Sequence, residues 1–272
     1  MTDSVKPSRL PFTLLLIGLF LISAIGVYLY QQQSGGPADS AAAPGKDAED
    51  AEDALRAAGV SDKERKATEA VVRAYLLKNP EVITEAIAIL QNREVEGRIS
   101  ALAGVIDRPF AGNVAGNPKG DVTIVEFSDY NCGYCRASVA DVERLIASDG
   151  NIRVIYREVP VLAPSSRTAA LWALAAAKQG KHAAFHKALF AAGRPDDGTL
   201  RKVAQSVGMD VAAAQQFTGS AEAKTEIDNN LAMMQQVGFN GTPTFIIGNQ
   251  LLQGAQGYIR LRQAVDQARK AG

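Results

Sequence analysis

The chain has 272 residues, 47% of them hydrophobic, and its 29 basic residues balance 29 acidic ones for a formal net charge of zero. That length allows one globular domain with a sizeable core plus appendages. The balanced charge removes the electrostatic argument for nucleic acid as a partner.

The stretch from Pro11 to Tyr30 carries no charged residue and is long enough to cross a bilayer as one helix. Lys6 and Arg9 precede it and an acidic run from Asp47 to Asp53 lies beyond it. The positive-inside rule therefore puts the N-terminus in the cytoplasm and the rest of the chain outside. A cleaved signal peptide is the alternative, with Ala38 to Ala43 as small residues near a cleavage point, but such peptides have apolar cores of about 7 to 15 residues. The longer run here favours an uncleaved anchor over residues 1–30, in a bacterial inner membrane with the remaining chain in the periplasm. Either outcome exports the chain to an oxidising compartment.

From Gln31 to Ala58 the composition is Gln, Ser, Gly, Ala, Pro and acidic residues, which predicts a flexible linker over 31–60. A helical stalk is predicted over 61–106. Ser61 and Glu64 fit a capping box, Val71, Val72, Tyr75 and Leu76 recur at helical spacing, and Asn79-Pro80 restarts a second helix. Val82, Ile83, Ile87, Leu90, Val95, Ile99 and Leu102 form the apolar stripe of that second helix. The stripe either folds back on the main domain or pairs with other copies of the chain. A helical segment between a tether and a separate domain has little local surface to cover, so a homo-oligomer through 61–106 is expected. Asp107-Arg108-Pro109 and the Gly, Asn and Pro-rich stretch from Gly112 to Gly120 end the stalk, and the catalytic domain is expected over 107–272.

The only two cysteines, Cys132 and Cys135, stand between a β-branched run, Val122 to Phe127, and a helix-like run, Ala137 to Ile146. They therefore cap a helix, where unpaired N–H groups and the macrodipole favour a thiolate at Cys132. Cys135, one turn on, is placed to form a disulfide with it and to resolve a mixed disulfide with substrate. A structural zinc site needs four ligands, and beyond this pair only His182 and His186 are available. A purely structural disulfide would close a loop of two residues and constrain the unfolded chain little. Redox exchange is the expected chemistry.

Ile152 to Tyr156 reads as a second buried strand, joined to the first by a right-handed crossover. Ser165 to about Val237 reads as helices broken near Gly180, Gly193 to Gly198, and Gly208. Thr244 to Ile247 and Gln250 to Leu252 flank the turn signal Gly248-Asn249, and a helix from Tyr258 to Ala271 closes the chain. His182 and His186 share a helix face but have no evident third ligand, so they are expected to be ordinary helix residues around Phe185. Met233 and Met234 are expected to pack the helix before the proline loop. No metal and no cofactor is expected.

A strand, a Cys-x-x-Cys helix, a helical insertion and a Thr-Pro element before a hairpin resemble the thioredoxin fold in its DsbA-type form. The resemblance covers roughly residues 109–272. It rests on Phe127-Ser128-Asp129-Tyr130-Asn131-Cys132-Gly133-Tyr134-Cys135 and on Gly241-Thr242-Pro243-Thr244-Phe245. The helices before it, with Tyr75-Leu76-Leu77-Lys78-Asn79-Pro80-Glu81-Val82-Ile83, are similar to the stalk of ScsC-like members, some of which trimerise. The resemblance implies an α/β thioredoxin fold with a DsbA-type helical insertion, preceded by the stalk and a transmembrane helix, and a thiol:disulfide oxidoreductase acting on protein thiols and disulfides with a membrane redox partner.

The resemblance also implies roles for single residues. Cys132 and Cys135 would form the redox-active disulfide. Thr242-Pro243 would be a cis bond facing it, and Thr242, Pro243, Gly133 and Tyr134 would touch substrate. Glu126, six residues before Cys132, would be a buried acid exchanging a proton with Cys135. From pattern alone a solvated glutamate at a sheet edge is equally consistent. The family's strong oxidases carry Pro-His between the cysteines, whereas Gly133-Tyr134 matches the pair of DsbC-type isomerases. Without the histidine the thiolate is less favoured, which leans the expectation to isomerase or reductase, with dithiol oxidase as the alternative. A Cu(I)-binding role for the two thiolates is the alternative of another class.

Overall fold

The computed structural model describes residues 46–271, which fall into one unit ending at Asn79 and a second beginning at Pro80. The expected anchor at Pro11 to Tyr30 lies outside the described residues. Among the described residues no helix is long and apolar enough to cross a membrane.

The first unit holds α1 (Lys46–Ala57) and α2 (Asp62–Lys78). Helix α1 corrects the linker expected over 31–60 for its described part, and residues 31–45 lie outside the described residues. The weak core-forming composition argued for a tether, but alanines spaced among carboxylates are strong helix formers, and Arg56 in the last turn pairs with Asp53. Gly59 turns the chain at a φ of +79°, a left-handed conformation that favours glycine. Ser61 then caps α2 through the expected box: Glu64 N–H donates to Ser61 Oγ at 3.3 Å, and Ser61 N–H donates to Glu64 Oε2 at 2.9 Å. Helix α2 buries no residue.

The second unit opens with α3 (Glu81–Ala101) and continues with β1 (Val114–Gly116), β2 (Val122–Ser128), α4 (Gly133–Ser148) and β3 (Ile152–Glu158). Five helices follow: α5 (Pro164–Lys178), α6 (His182–Ala192), α7 (Asp197–Ser206), α8 (Val211–Thr218) and α9 (Ala221–Val237). The chain ends with the hairpin β4 (Thr244–Ile247) and β5 (Gln250–Gln253) and with α10 (Gly257–Ala271). The sheet order is β1-β3-β2-β4-β5, with β2 parallel to β3 and the other pairs antiparallel. The run from Val122 sits at the centre because its residues are apolar on both faces.

One face of the sheet, with Ile124, Val154 and Phe245, packs on Val142 and Leu145 of α4 and on Leu261 and Val265 of α10. The other, with Val125, Phe127, Ile155 and Ile246, packs on Met233 and Val237 of α9. The inserted helices enclose a separate cluster of Trp172, Phe185, Leu189, Phe190 and Leu200 that reaches Cys132 and Cys135.

The apolar stripe of the second stalk helix divides. Ile83, Ile87 and Leu90 are exposed, whereas Ile99 and Ile106 are buried, with Val95 and Leu102 against them, in the cluster under Phe127 and Met233. The expected stalk of 61–106 is corrected accordingly: its C-terminal part belongs to the catalytic unit. Buried Arg157 of β3 secures this junction, donating from Nη2 to the carbonyls of Val105, Ile106 and Arg108, and from Nη1 to Glu226 and Asn230 of α9. Strand β1 was hidden in the glycine-rich stretch. Its Gly116 has a φ of +74°, and a Cβ there would lie 2.6 Å from the Ile152 carbonyl oxygen.

Candidate active site

Strand β2 delivers the chain to the sheet's C-terminal edge, where Asp129, Tyr130 and Asn131 make the loop into α4. Asp129 fixes that loop. Its Oδ1 accepts from Asn131 N–H at 2.8 Å, and its Oδ2 accepts from Val161 and Leu162 N–H at 2.9 Å each. Asn131 Nδ2 donates to Ser165 and Ser166 of α5. Arg136, one turn into α4, donates to the carbonyls of Phe190 and Gly193. The site is thus held between the sheet and the helical insertion.

Cys132 is the N-cap of α4, and its sulfur accepts from Cys135 N–H at 3.3 Å. Across from it the Thr242-Pro243 bond is cis, and the Thr242 carbonyl accepts the Cys132 S–H at 3.1 Å. The Thr242 hydroxyl is otherwise unpartnered. The Cys132 thiol is pushed down to about 5, chiefly by a hydrogen bond from the Cys135 side chain against the opposing effect of burial, with helix N–H groups adding to the stabilisation. The Cys135 thiol, fully buried, is pushed far up, first by burial and then by the same hydrogen bond. One sulfur is therefore a ready thiolate at neutral pH, and the other keeps its proton until a base removes it. Gly133 opens the helix between them, and the Tyr134 side chain is 70% exposed.

Glu126 faces the interior, not solvent at a sheet edge. Its strand is flanked by Tyr156 of β3 and Phe245 of β4, it is 1% exposed, and its Oε1 has no partner. Burial, and then the charges of Glu158 and Cys132, push its carboxyl up to about 8. The arrangement can generate a thiolate, form a mixed disulfide at Cys132, and resolve it from Cys135 with a buried carboxylate as proton acceptor.

A sequence model described as the DSBA-like thioredoxin domain matches residues 123–266, more than half of the chain. The chain belongs to the DsbA-like thioredoxin family. A second model, described as the copper resistance protein ScsC N-terminal domain, matches residues 64–96. Among solved structures, a thioredoxin-like oxidoreductase from Silicibacter pomeroyi DSS-3 is 44% identical, with 58% of this chain and 92% of that one covered and a TM-score of 0.57. The thiol-disulfide exchange protein alpha-DsbA2 from Wolbachia pipientis is 28% identical, covering 65% and 97% at a TM-score of 0.61. A linker-deletion mutant of Proteus mirabilis ScsC is 24% identical, covering 78% and 98% at 0.60, a likeness of fold. A curated relative, the Na(+)/H(+) antiporter NhaA 3 of Salinispora tropica, is 27% identical over 183 residues. That match takes in 64% of this chain but only 28% of the antiporter.

The DsbA-like site includes a residue that the sequence did not single out, Glu158, which joins the histidine pair for which no third ligand was evident. His182 and His186 are buried, and their third neighbour is Glu158 of β3, with one ligand atom from each lying within 4.8 Å of the others. The Tyr130 hydroxyl lies 3.1 Å from His186 Nδ1 and 3.3 Å from Glu158 Oε1, between two of those three atoms. The cluster is therefore closed by hydrogen bonds. Glu158 is 24 residues from His182 and 28 from Tyr130, too far for local periodicity to join them. Its only signal was an acid ending an apolar strand. Met233 and Met234 lie in α9 against the sheet, before the loop that carries Pro243.

Proposed function

We propose that this DsbA-like protein exchanges disulfides with exported protein substrates as an isomerase or reductase. The observation that carries this reading is Cys132, a depressed thiol at a helix N-terminus opposite the Thr242-Pro243 loop. A reduced protein with such a thiol attacks substrate disulfides at neutral pH, which is the first step of isomerisation and of reduction. Glu126 accepts the Cys135 proton as Cys135 resolves the mixed disulfide, and Thr242, Pro243, Gly133 and Tyr134 line the substrate beside the sulfurs. Tyr134 brings no charge to the sulfur, but hydrogen bonds stabilise the thiolate all the same, so the lean to isomerase or reductase rests on the Gly133-Tyr134 pair.

The same depressed thiol favours a second reading. A stabilised thiolate stabilises the reduced form, so a dithiol oxidase remains a coherent alternative. Reactivation of a scrambled disulfide substrate by residues 31–272 in a glutathione buffer separates the two. Activity that is lost in Cys132→Ser is expected. Rapid oxidation of a reduced peptide with no reactivation would make the protein an oxidase instead. A Cu(I) role predicts that copper shields the reduced pair from alkylation while Cys135→Ser traps no substrate proteins.

The setting belongs to the same proposal. Residues 1–30 anchor the protein in the inner membrane, with 107–272 in the periplasm facing a membrane redox partner. The periplasmic thioredoxin-like protein of Salmonella enterica serovar Typhimurium, 25% identical, supports export. Copies associate through the helices of 61–106. Val71, Val72, Tyr75 and Leu77 of α2 and Ile83, Ile87 and Leu90 of α3 are exposed apolar residues in want of cover.

A further inference from the structure

Beneath the sulfurs the fold buries more ionisable groups than exchange through Glu126 uses. Glu126 pairs with Tyr156 and Ser128 with Glu158 across β2 and β3, so Glu126, Ser128 and Glu158 share one face of the sheet. All three are buried, and Glu126 Oε1, Ser128 Oγ and Glu158 Oε2 have no hydrogen-bond partner. The other oxygen of Glu158, Oε1, accepts from the Tyr130 hydroxyl and lies 3.0 Å from His182 Nε2. Tyr130 in turn meets His186 Nδ1. His186 and Tyr156 line a cavity of about 390 Å³ among α4, α6 and β1, and exposed Glu143 and Lys187 are also in its wall. These groups lie along one buried stretch from the redox centre toward a second surface, hydrogen-bonded from Glu158 through Tyr130 to His186, with Glu126 Oε1, Ser128 Oγ and Glu158 Oε2 on one face but not bonded to one another.

The geometry points to a proton path: Glu158, Tyr130 and His186 carry the proton that Cys135 gives to Glu126 out to the cavity beside α6. The inference rests on the exchange reading. In the resolving step the Cys135 S–H bond breaks, its proton goes to Glu126, and the sulfur's electron pair attacks Cys132. The bond between Cys132 and the substrate sulfur breaks, and the substrate leaves as a thiolate that is protonated by solvent. Glu126 then hands its proton on, with the Ser128 hydroxyl placed between the two carboxyls. Glu158, protonated at Oε1, gives that proton to the Tyr130 oxygen as it receives one at Oε2, the Tyr130 hydroxyl turns from Glu158 to pass its own proton to His186 Nδ1, and His186 releases a proton from Nε2 into the cavity. One proton moves in sum, Glu126 returns to the carboxylate, and His186 ends in its other tautomer.

The electrostatics fit such a path. Glu126 and Glu158 are both raised to about 8, each first by burial, so neither is held as a fixed anion. Burial also keeps both histidines neutral. From the loop before α4, Asp129 raises Glu158 and Tyr130 bonds to it. Cys132 and Cys135 of the α4 turn couple to Glu126, and Tyr156 of β3 feels both carboxyls and Glu143. Glu158, Tyr130 and His186 are positioning residues, acting on the sulfurs only through Glu126.

The test is single-turnover release of glutathione from the full chain carrying a mixed disulfide at Cys132, followed against pH with a proton-indicating dye. In the wild type the release rate should rise to a midpoint near 8, where Glu126 becomes a free base. Glu158→Gln removes a like charge and should move that midpoint down by roughly one pH unit. The leaving thiolate takes a proton from solvent and the path returns one, so the dye should report uptake followed by release, and Tyr130→Phe should slow that release phase about tenfold. Wild-type profiles in both variants, with native circular dichroism, would overturn the path; if Glu158→Gln does not fold, Tyr130→Phe decides alone. One Zn²⁺ retained by the Cys132→Ser, Cys135→Ser protein and lost on adding Glu158→Gln would make the cluster a metal site, and also overturn it. A wild type that releases no glutathione at any pH would fail at the exchange reading, and the path would fall with it.

Discussion

Cys132 and Cys135 are three positions apart, yet their thiols are driven in opposite directions because one caps a helix and the other is sealed beneath it. Alkylation of the reduced protein should therefore label Cys132 alone, with a rate that is half-maximal near pH 5. Cys135→Ala removes the leading hydrogen bond and should move that midpoint upward. The buried acid has a thermodynamic signature of its own. With Glu126 raised to about 8 from an ordinary value of 4.5, the folded state binds a proton that the unfolded state releases in between. Its contribution to stability is complete at acid pH and is lost as the pH rises from the ordinary carboxyl range to about 8. Glu126→Gln should thus melt several degrees higher than the wild type at pH 9 and with it at pH 4, as thermal denaturation at the two pH values would report. The cysteines were legible because they lie in one short strand–loop–helix segment, whereas Glu126 was marked only by the resemblance and its burial waited for the fold. Glu158 was not legible, since its meaning comes from a histidine pair on α6 that touches it only after β3 and the insertion have packed.

Among the elements, β2, α4, β3 and the hairpin followed from local pattern, since β-branched runs, a capped amphipathic helix and Gly248-Asn249 each carry their own signal. Strand β1 escaped because three residues make too short a pattern and its pairing with β3 is non-local. Helix α3 was legible as a helix, but its stripe did not say which part of it meets the sheet. Arg157 helps to settle that by tying the carbonyls after α3 to β3 and α9. Arg157→Met should remove a buried charge that holds five acceptors, lower stability by about 3 kcal/mol or more, and open residues 101–110 to limited proteolysis. A cut in that segment at the wild-type rate would show that packing of Ile99 and Ile106 suffices without it.

For the molecule as a whole, the proposed oligomer would set what the catalytic unit can do. Several sites on one body hold a misfolded chain at high effective concentration. In the full chain, Val72→Glu with Leu77→Glu should shift the mass measured by light scattering from oligomer to monomer. Small-peptide exchange should stay within about twofold while reactivation of scrambled substrate falls, because each charge placed on an apolar contact opposes its burial. The helix that the cysteines cap, the turn of the hairpin and the order of helices were readable from residues near one another in the chain, since caps, turns and apolar periodicity are local physics, while the family and the cis bond came from the resemblance. Three features became visible in the folded chain: the division of the α3 stripe between sheet and solvent, the inward orientation of Glu126, and the joining of Tyr130, Glu158, His182 and His186. Each depends on which surfaces meet across tens of residues, and burial and hydrogen-bond geometry exist only once those surfaces have met.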